Sequence, residues 1–384
     1  MPLHIAINGW FAAQPHTGSG RYLRQLLSAL LREEANLRLS LILPPEQNPP
    51  LDLPAEIDAI PTRGPGGALG KLIFEQHSFP ARVADCGADL AHVPYWGPPL
   101  RCPVPLICTV HDVLALILPQ YRRHLRQRFY VALVSAAARG ADLLLTDSEA
   151  AAADIREHLA IPATRIRTIP IAADRSFHPR ATADEGQSLR QRYDLPPDRF
   201  ILYLGGYDYH KQVRLLLEAY SYVARALDDE VPLVLAGKRP PKRRRDEPPD
   251  LPTLADELGI TEQVHWPGPI AESDLPALYR QATLFAFPSM YEGFGLMLLE
   301  AMQCGTPVVA NNIVVFRELA DDAAFLTDNA REMGGAMLAI LNQPPLRDSL
   351  RNRGLARATH FSWRTVARKT LAAYREAHQA TDPS

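Results

Sequence analysis

Short apolar runs alternate with longer stretches of helical periodicity along most of the chain. In the first half, these runs predict buried strands at 3–7, 38–43, 89–93, 104–110, 142–145 and 166–169. The stretch 19–34 has helical spacing instead, with an apolar face made of Tyr22, Leu23, Leu26, Leu27, Leu30 and Leu31. Near-continuous apolar strands separated by helices indicate a parallel sheet that is covered on both faces.

A polar stretch at 172–198 interrupts this pattern, and its prolines are typical of a connection between domains. A second series of apolar runs then predicts strands at 200–204, 231–236, 263–266, 283–287, 307–310 and 323–326. A chain of 384 residues is also long for a single hydrophobic core. We therefore predict two α/β domains in tandem, with a ligand in the cleft that faces the carboxyl ends of the strands.

Composition argues against nucleic-acid-binding, zinc-binding, membrane-spanning and secreted proteins. The formal net charge of -2 gives no overall attraction to nucleic acid, so we expect no nucleic-acid partner. The four cysteines are scattered without a C-x-x-C pair, which favours a reduced, cytoplasmic protein and gives no zinc spacing. No apolar run approaches the roughly 18 residues of a membrane-spanning helix, and the start of the chain lacks the pattern of a secretory signal.

Two segments are locally basic. The segment 237–250 contains six Lys or Arg residues among prolines. We interpret it as a solvated loop, with contact to an anionic acceptor or lipid as the alternative. The segment 119–139 places Arg122, Arg123, Arg126 and Arg128 on a predicted helix. A solvated helix face is the favoured interpretation, and peripheral attachment to the inner face of the cell membrane is the alternative.

The densest chemical signal lies at 283–312, where a strand, a glycine-rich loop and a helix follow one another. Gly293 and Gly295 flank Phe294 at the helix entry, so the backbone can approach a ligand closely. Unpaired N–H groups at a helix start form an anion site. Glu292 and Glu300 would repel phosphate but accept hydrogen bonds from sugar hydroxyls, which suits a sugar–diphosphate–ribose ligand. Simple pairing of Glu300 with a base and of Glu292 with the helix dipole fits these residues equally well.

The Glu-x7-Glu segment in PSMYEGFGLMLLEAMQCGTPVV resembles the donor-binding signature of the retaining GT-B glycosyltransferases of family 4, group 1. This resemblance covers nearly the whole chain. It implies that Glu292 binds hydroxyls of the donor sugar and that Glu300 binds the ribose. The backbone N–H groups that it assigns to the sugar and the diphosphate are those of Gly293, Phe294, Gly295 and Leu296.

The same resemblance implies the fold and the division of the chain. The fold is GT-B, an α/β fold of two Rossmann-like α/β/α domains whose parallel sheets face across a cleft. Residues 1–178 form the acceptor-binding domain and residues 179–360 the nucleotide-sugar-binding domain. Residues 361–384 include a last helix that returns to the first domain. Residues 146–149 (TDSE) and 166–177 resemble further segments of the family.

Residues 200–220 resemble the strand, glycine loop and lysine that open the second domain of this family. Gly205 and Gly206 form the loop, and Lys211 matches the lysine that neutralises the donor diphosphate, where the leaving group builds negative charge. The family has an arginine where His210 or Gly206 stands here. The diphosphate site is therefore one cation short, unless a protonated His210, Arg214 or Lys238 replaces it.

Two segments of the first half complete the resemblance. Residues 17–21 (TGSGR) resemble the glycine-rich loop over the diphosphate, which assigns Gly18 and Gly20 to donor binding, although helix capping explains glycines here as well. Leu23 occupies the third position of G-x-G-x-x-G, so a dinucleotide fingerprint is not formed. His111-Asp112 resembles a T-x-H-D element whose His lies beside the donor sugar. The alternatives are a core histidine and an Asp112 that caps the next turn.

The resemblance implies a retaining hexosyltransferase with His111, Lys211 and Glu292 as catalytic residues. The donor is a nucleoside-diphosphate sugar, with mannose as the indicated hexose, and the acceptor is a hydroxyl of a glycan or of a lipid-linked molecule. No cofactor and no metal are expected, because Lys211 and the helix start would supply the positive charge. The alternatives are a GT-B-like nucleotide-sugar epimerase or hydrolase and a non-catalytic nucleotide-sugar-binding subunit.

Overall fold

The computed structural model describes residues 2–50, 53–181, 185–227, 231–238 and 250–380. The chain divides into two compact units. The first unit contains Met1–Ala172 and Ser362–Ser384, and the second contains Ala173–Phe361. The first unit therefore ends earlier than the domain boundary predicted at 178.

A seven-stranded parallel sheet forms the centre of the first unit. Its strands are β1 (His4–Asn8), β2 (Arg38–Leu43), β3 (Ile57–Pro61), β4 (Leu90–Val93), β5 (Leu106–Thr109), β6 (Leu143–Thr146) and β7 (Ile166–Thr168). They lie in the order β3-β2-β1-β4-β5-β6-β7. The α-helices between them are α1 (Gly18–Glu33), α2 (Gly67–Ile73), α3 (Phe79–Asp85), α4 (Leu114–Ile117), α5 (Leu125–Gly140) and α6 (Glu149–Leu159). A π-helical turn at Phe74–Ser78 joins α2 to α3, and 3-10 turns lie at Pro119–Arg122 and Ala163–Arg165.

Strand β3 was not predicted from the sequence. It pairs with β2 at the edge of the sheet, and it is only partly buried, with Ile57 covered and Asp58 and Pro61 exposed. An edge strand needs no continuous apolar run, and it tolerates a proline because one side of its backbone is unpaired. Its sequence therefore lacks the signal that identified the buried strands.

A six-stranded parallel sheet forms the centre of the second unit. Its strands are β8 (Ile201–Leu204), β9 (Leu233–Ala236), β10 (Val264–Gly268), β11 (Leu284–Phe287), β12 (Val308–Asn311) and β13 (Phe325–Thr327), in the order β10-β9-β8-β11-β12-β13. Its helices are α7 (Glu185–Tyr193), α8 (Val213–Ala226), α9 (Leu251–Glu257), α10 (Leu275–Gln281), α11 (Leu296–Cys304), α12 (Val314–Ala320), α13 (Ala330–Asn342) and α14 (Pro344–Ala358). Short 3-10 turns lie at Tyr209–Lys211, Thr261–Gln263 and Glu272–Asp274.

The polar stretch predicted as a connection at 172–198 is part of the second unit, so this prediction was wrong for the residues of α7. Leu189 of this helix is buried. Glu185 accepts two hydrogen bonds of 2.7 Å from the guanidinium group of Arg280 on α10. At its other end, Arg192 and the Tyr193 hydroxyl contact Asp274 Oδ2 at 2.6 and 2.7 Å. One buried leucine and these polar contacts attach the helix, which explains why its sequence is polar overall.

The last helix, α15 (Trp363–Gln379), belongs to the first unit. Ser362 caps it by accepting a hydrogen bond from the backbone N–H of Thr365. Its buried face includes Val366 and Leu371, and its Tyr374 hydroxyl contacts His92 Nδ1 of β4 at 2.7 Å. The helix thus packs directly on the first sheet.

The sequence predicted one helix across the basic segment 119–139, and this prediction was wrong. The segment divides into the 3-10 turn with Arg122 and the helix α5, whose first turn contains Arg126 and Arg128. Of the other basic segment, residues 239–249 lie outside the described residues. Within the described ranges, no helix is long and apolar enough to cross a membrane.

Candidate active site

The predicted donor-binding motif follows β11 and extends into α11, which contains Glu300. The helix begins at Leu296, immediately after Gly295, whose φ of 98° lies in the left-handed region. A Cβ atom at Gly295 would also meet the ring of Phe316 at 2.8 Å. Backbone conformation and packing therefore both require glycine at this position. The first N–H groups of a helix such as α11 have no partner within the helix, which makes its start a candidate anion site.

Phe294 serves the packing of this loop. Its side chain is buried, and its ring lies 5.9 Å from that of Phe361 in an edge-to-face arrangement. A ligand contact at this position would therefore involve the backbone, as the sequence analysis expected.

Lys211 and Glu292 contact each other directly. Lys211 ends the 3-10 turn after β8, and its Nζ lies 2.6 Å from Glu292 Oε1. The two side chains are 14% and 16% exposed, so the pair is shielded from water. Nζ also lies 5.5 Å from the ring centroid of Phe287 at the end of β11. The structure thus brings together two residues that the sequence assigned to different parts of the ligand.

Glu300 occupies the middle of α11 and is fully buried. The hydroxyl of Tyr279 on α10 donates a hydrogen bond of 3.2 Å to Glu300 Oε2. A buried carboxylate must have such donors, because leaving it without hydrogen bonds is costly. The predicted ribose contact would be made by a carboxylate that Tyr279 already orients.

The surroundings of His210 disfavour the positive charge that the family pattern lacks here. Burial lowers its pKa, the positive charge of Lys211 lowers it further, and the carboxylates of Glu292 and Asp208 only partly oppose both effects. The ring is therefore neutral near pH 7. Of the other two candidates, Arg214 lies in the first turn of α8, and Lys238 is exposed after β9.

The glycines after β8 allow two backbone segments to meet at the carboxyl edge of the second sheet. A Cβ atom at Gly237, which follows β9, would lie 2.0 Å from the carbonyl oxygen of Gly205. Gly206 accepts a short hydrogen bond from the Tyr203 hydroxyl. The predicted glycine loop is thus closely packed against the turn after β9, and this packing requires glycine at 237. Gly205 is explained without a ligand by its φ of 147°, which side chains rarely adopt.

Asn311 was missed by the sequence analysis, although it lies beside the donor motif. It ends β12, the neighbour of β11, and its Nδ2 donates hydrogen bonds to the carbonyl oxygens of Pro288 and Ser289. Asn311 Oδ1 and Ser289 Oγ are both buried without a hydrogen-bond partner in the part of the chain that the structure describes. Asn311 fixes the start of the loop that carries Glu292. Its position at the carboxyl end of a predicted strand was the available signal.

In the first unit, His111 and Asp147 lie at the carboxyl ends of the neighbouring strands β5 and β6. His111 Nδ1 lies 2.7 Å from Asp147 Oδ2. Asp147 is buried, and the His111 side chain is 21% exposed. Asp147 belongs to the TDSE segment, which the sequence analysis did not connect with His111. The sequence predicts both strand ends but not that these two strands are neighbours.

Asp147 sets the protonation of His111. Burial of the ring opposes its charged form, but the adjacent Asp147 carboxylate overcomes this and raises the pKa of His111 above its usual value. The carboxylate also fixes Nδ1 as a protonated nitrogen, so Nε2 is the nitrogen that remains for another contact. Nε2 is buried and has no hydrogen-bond partner among the described residues. His111 is therefore oriented through Nδ1, and the backbone of Pro94 also favours the charged form of the ring.

A second histidine supports this arrangement from the core. His92 Nε2 lies 2.8 Å from Thr109 Oγ1, and its burial lowers its pKa to about 3. The ring of Tyr22 packs edge-on against His111 at 4.7 Å and its hydroxyl lies 3.4 Å from Thr109 Oγ1. A neutral His92 and a packed Tyr22 hold the strand end that carries His111.

The TGSGR segment forms the start of α1. Thr17 caps the helix, because its hydroxyl oxygen accepts a hydrogen bond of 3.1 Å from the Gly20 N–H. A Cβ atom at Gly20 would lie 2.0 Å from the carbonyl oxygen of Gln14, whereas one at Gly18 would meet nothing within 4 Å. Local packing thus explains Gly20, and Gly18 faces open space beside a helix start. Asp112 caps a turn as well, since its Oδ1 accepts a 2.9 Å hydrogen bond from the Leu114 N–H.

Comparisons with known proteins identify the family of the chain. The family model described as Glycosyltransferase Family 4 matches residues 16–177, and the one described as Glycosyl transferases group 1 matches residues 187–357. O-antigen chain mannosyltransferase B of Escherichia coli is 31% identical over 380 residues, which cover 94% of this chain and 96% of that protein. D-inositol 3-phosphate glycosyltransferase of Salinispora tropica is 28% identical over 402 residues, covering 95% of this chain and 83% of that protein.

Among solved structures, sucrose-phosphate synthase from Thermosynechococcus elongatus matches with a TM-score of 0.79 at 23% sequence identity. The match covers 99% of this chain and 100% of that one. This likeness confirms the predicted GT-B fold of two Rossmann-like domains. The matched family models and the extent of the mannosyltransferase match show that the chain belongs to the group 1 glycosyltransferases of family 4.

Proposed function

We propose that this glycosyltransferase moves a hexose from a nucleoside-diphosphate sugar to a hydroxyl of a saccharide or lipid-linked acceptor, with retention at the anomeric carbon. The observation that carries the proposal is the shielded contact of 2.6 Å between Lys211 and Glu292 beside the start of α11. The contact joins a cation to a carboxylate, and Glu292 precedes the first residue of α11 by four positions, which supports a site that also uses the helix N–H groups. Diphosphate and sugar hydroxyls need these three kinds of partner.

Donor binding would change the partner of Lys211. Without a donor, the Glu292 carboxylate neutralises the Lys211 ammonium group at 2.6 Å. A diphosphate offers that ammonium group a more highly charged partner, so Lys211 would turn to the phosphate oxygens. Glu292 would then be free to accept hydrogen bonds from the donor sugar. Glu300 would receive a ribose hydroxyl beside the one that Tyr279 already donates.

The transfer itself would need no protein nucleophile. The acceptor oxygen forms the new bond to the anomeric carbon on the face from which the phosphate departs. The acceptor proton passes to a leaving phosphate oxygen, and Lys211 with the start of α11 stabilises the diphosphate charge. We assign no metal to this step. His111 would orient a substrate hydroxyl through Nε2, because Asp147 holds the ring by Nδ1.

Mannose is the hexose we propose, since mannosyltransferase B matches nearly the whole chain. A transfer assay with donors labelled in the sugar tests the reaction class directly. We expect label from one nucleotide sugar, with GDP-mannose first in the panel, to appear on an α-linked acceptor product in the presence of EDTA. Label found only in free sugar or in an isomer of the donor would instead establish a hydrolase or an epimerase. Donor binding without any turnover would establish a binding subunit.

We also propose contact of the first unit with an anionic membrane. At the start of α5, Leu125 is 79% exposed and Phe129 is 64% exposed. These two side chains lie one turn apart and so share a face of the helix. Arg123, Arg126 and Arg128 are exposed around them. Apolar side chains among arginines suit a lipid surface, where the apolar groups enter the acyl boundary and the cations bind anionic head groups.

A further inference from the structure

The second unit contains an open cavity at the edge of its sheet opposite the donor motif. The cavity has a volume of about 460 Å³. Arg199, Thr283 and Pro307 line it just before the first residues of the neighbouring strands β8, β11 and β12. The donor motif follows the other end of β11, about 13 Å away along a four-residue strand. The cavity is therefore distinct from the proposed donor site.

Four of the thirteen described lining residues of this cavity are arginines, so its side-chain charge is mostly positive. Besides Arg199, it is lined by Arg280, Arg347 and Arg351, whereas Asp348 is the one acid among the described lining residues. The charge of Arg280 is already balanced, since its guanidinium group makes two hydrogen bonds of 2.7 Å with Glu185. The excess positive charge thus lies with Arg347 and Arg351.

Two of these arginines make no side-chain hydrogen bond or ion pair with the described residues. Arg347 and Arg351 lie one turn apart on α14 and share a face of that helix. Arg351 lies against the turn at Gly305, because its Nε and Cζ would be 3.4 and 3.5 Å from a Cβ atom there. Its side chain therefore forms a wall of the cavity.

Cys304 adds no opposing charge to the cavity. Burial raises the pKa of its thiol to about 12, and the nearby charge of Arg280 only partly offsets this. The thiol is therefore protonated at neutral pH.

We propose that this cavity binds a small molecule that carries phosphate. Guanidinium groups match phosphate oxygens with paired N–H donors, and arginine is favoured wherever such oxyanions are recognised. The volume lies in the range of small-molecule sites and exceeds the need of a single ion. The backbone turn at Gly305 and the side chains of Gln281 and Thr283 supply neutral polar partners for the rest of the ligand.

Inorganic pyrophosphate is the probe, titrated calorimetrically into the full chain at constant ionic strength. The Lys211→Ala variant is the reference, because it lacks the lysine of the proposed donor site. We expect this variant to retain pyrophosphate binding. Adding Arg347→Ala and Arg351→Ala should weaken the dissociation constant at least about tenfold, since each lost arginine removes charged hydrogen bonds.

The matched control adds Arg225→Ala and Arg331→Ala to the same reference. Both residues are exposed in the second unit and lie outside the cavity lining, so the control removes equal charge. Unchanged binding in this control supports the proposal. Equal weakening in both variants would show nonspecific attraction and overturn it. A cavity variant with a lower melting temperature but unchanged pyrophosphate binding would also overturn the proposal. The arginines would then stabilise the C-terminal end of α11 instead of binding a ligand.

Discussion

Lys211–Glu292 in the second unit and His111–Asp147 in the first are similar pairs with opposite consequences for a ligand. Both follow the carboxyl ends of strands, at distances of 2.6 and 2.7 Å. In the second unit, each partner has a predicted contact with the donor, so binding has to separate the pair. In the first unit, one partner is buried and the other keeps Nε2 without a partner, so the pair can stay closed. We expect the Lys211–Glu292 pair to compete with the ligand and the His111–Asp147 pair to position a side chain for it.

Lys211 should give the largest effect, because it would stabilise the leaving diphosphate. We expect Lys211→Ala to lower kcat by about 100- to 1,000-fold, the usual cost of removing a group that stabilises transition-state charge. Lys211→Arg keeps the charge and should recover part of the activity. Steady-state transfer kinetics measure both variants. A Lys211→Ala enzyme with nearly normal kcat would show that this pair has no role in the reaction.

Asp147 should give a smaller effect, because it acts through His111. We expect Asp147→Asn to lower kcat/KM by about 10- to 100-fold, the equivalent of one charged hydrogen bond. The variant should also lower the pKa of His111, because burial, already the largest single influence on that ring, is then no longer opposed by the Asp147 carboxylate. NMR titration of the His111 ring measures this shift. A pKa that stays raised in the variant would exclude Asp147 as its cause.

The same pair predicts how stability depends on pH. The folded pKa of His111 is raised, so the pair contributes stability that is fully present below the unfolded value near 6.5. This contribution is lost as the pH rises through the folded pKa. Urea unfolding from pH 5.5 to 8.5 should therefore show a loss of stability in the wild type that is smaller in Asp147→Asn. Parallel curves for the two proteins would contradict the assignment.

A substitution at Gly295 tests whether the predicted donor motif needs glycine for its backbone conformation and packing. Gly295→Ala should destabilise the protein by about 2–4 kcal/mol, because it combines backbone strain at positive φ with a contact of 2.8 Å to Phe316. Gly18→Ala is the matched control, since a Cβ atom there meets nothing within 4 Å. Thermal unfolding compares the two. Equal melting temperatures would show that the loop before α11 can relax.

Substitutions at the exposed start of α5 should reduce membrane binding more than transfer activity. Leu125→Ser with Phe129→Ser should reduce pelleting with vesicles that contain anionic lipid, while transfer to a water-soluble acceptor stays normal. Leu69→Ser is a control, because Leu69 is also exposed, at 64%, but lies on α2. Pelleting by the double variant at wild-type levels would end the membrane proposal.

The sequence predicted those parts of the molecule that depend on local pattern. Twelve strands were found because buried parallel strands are continuous apolar runs. The edge strand β3 and the polar helix α7 were missed, since neither needs a continuous apolar run. The partners at the candidate site were missed for another reason. Asp147 contacts His111 because β5 and β6 are neighbours, and Asn311 contacts Pro288 because β11 and β12 are neighbours. The order of strands in a sheet cannot be predicted from the spacing of residues within each strand.

Binding of the nucleoside diphosphate to Lys211→Ala and Glu292→Ala variants tests the competing pair most directly. Calorimetry with GDP, or with the nucleotide that the donor panel identifies, should show at least about tenfold weaker binding to Lys211→Ala, which loses the cation. Binding to Glu292→Ala should be as tight as wild type or tighter, because Lys211 then has no carboxylate to leave. Equal weakening in both variants, or no change in Lys211→Ala, would contradict a pair that opens to receive the diphosphate.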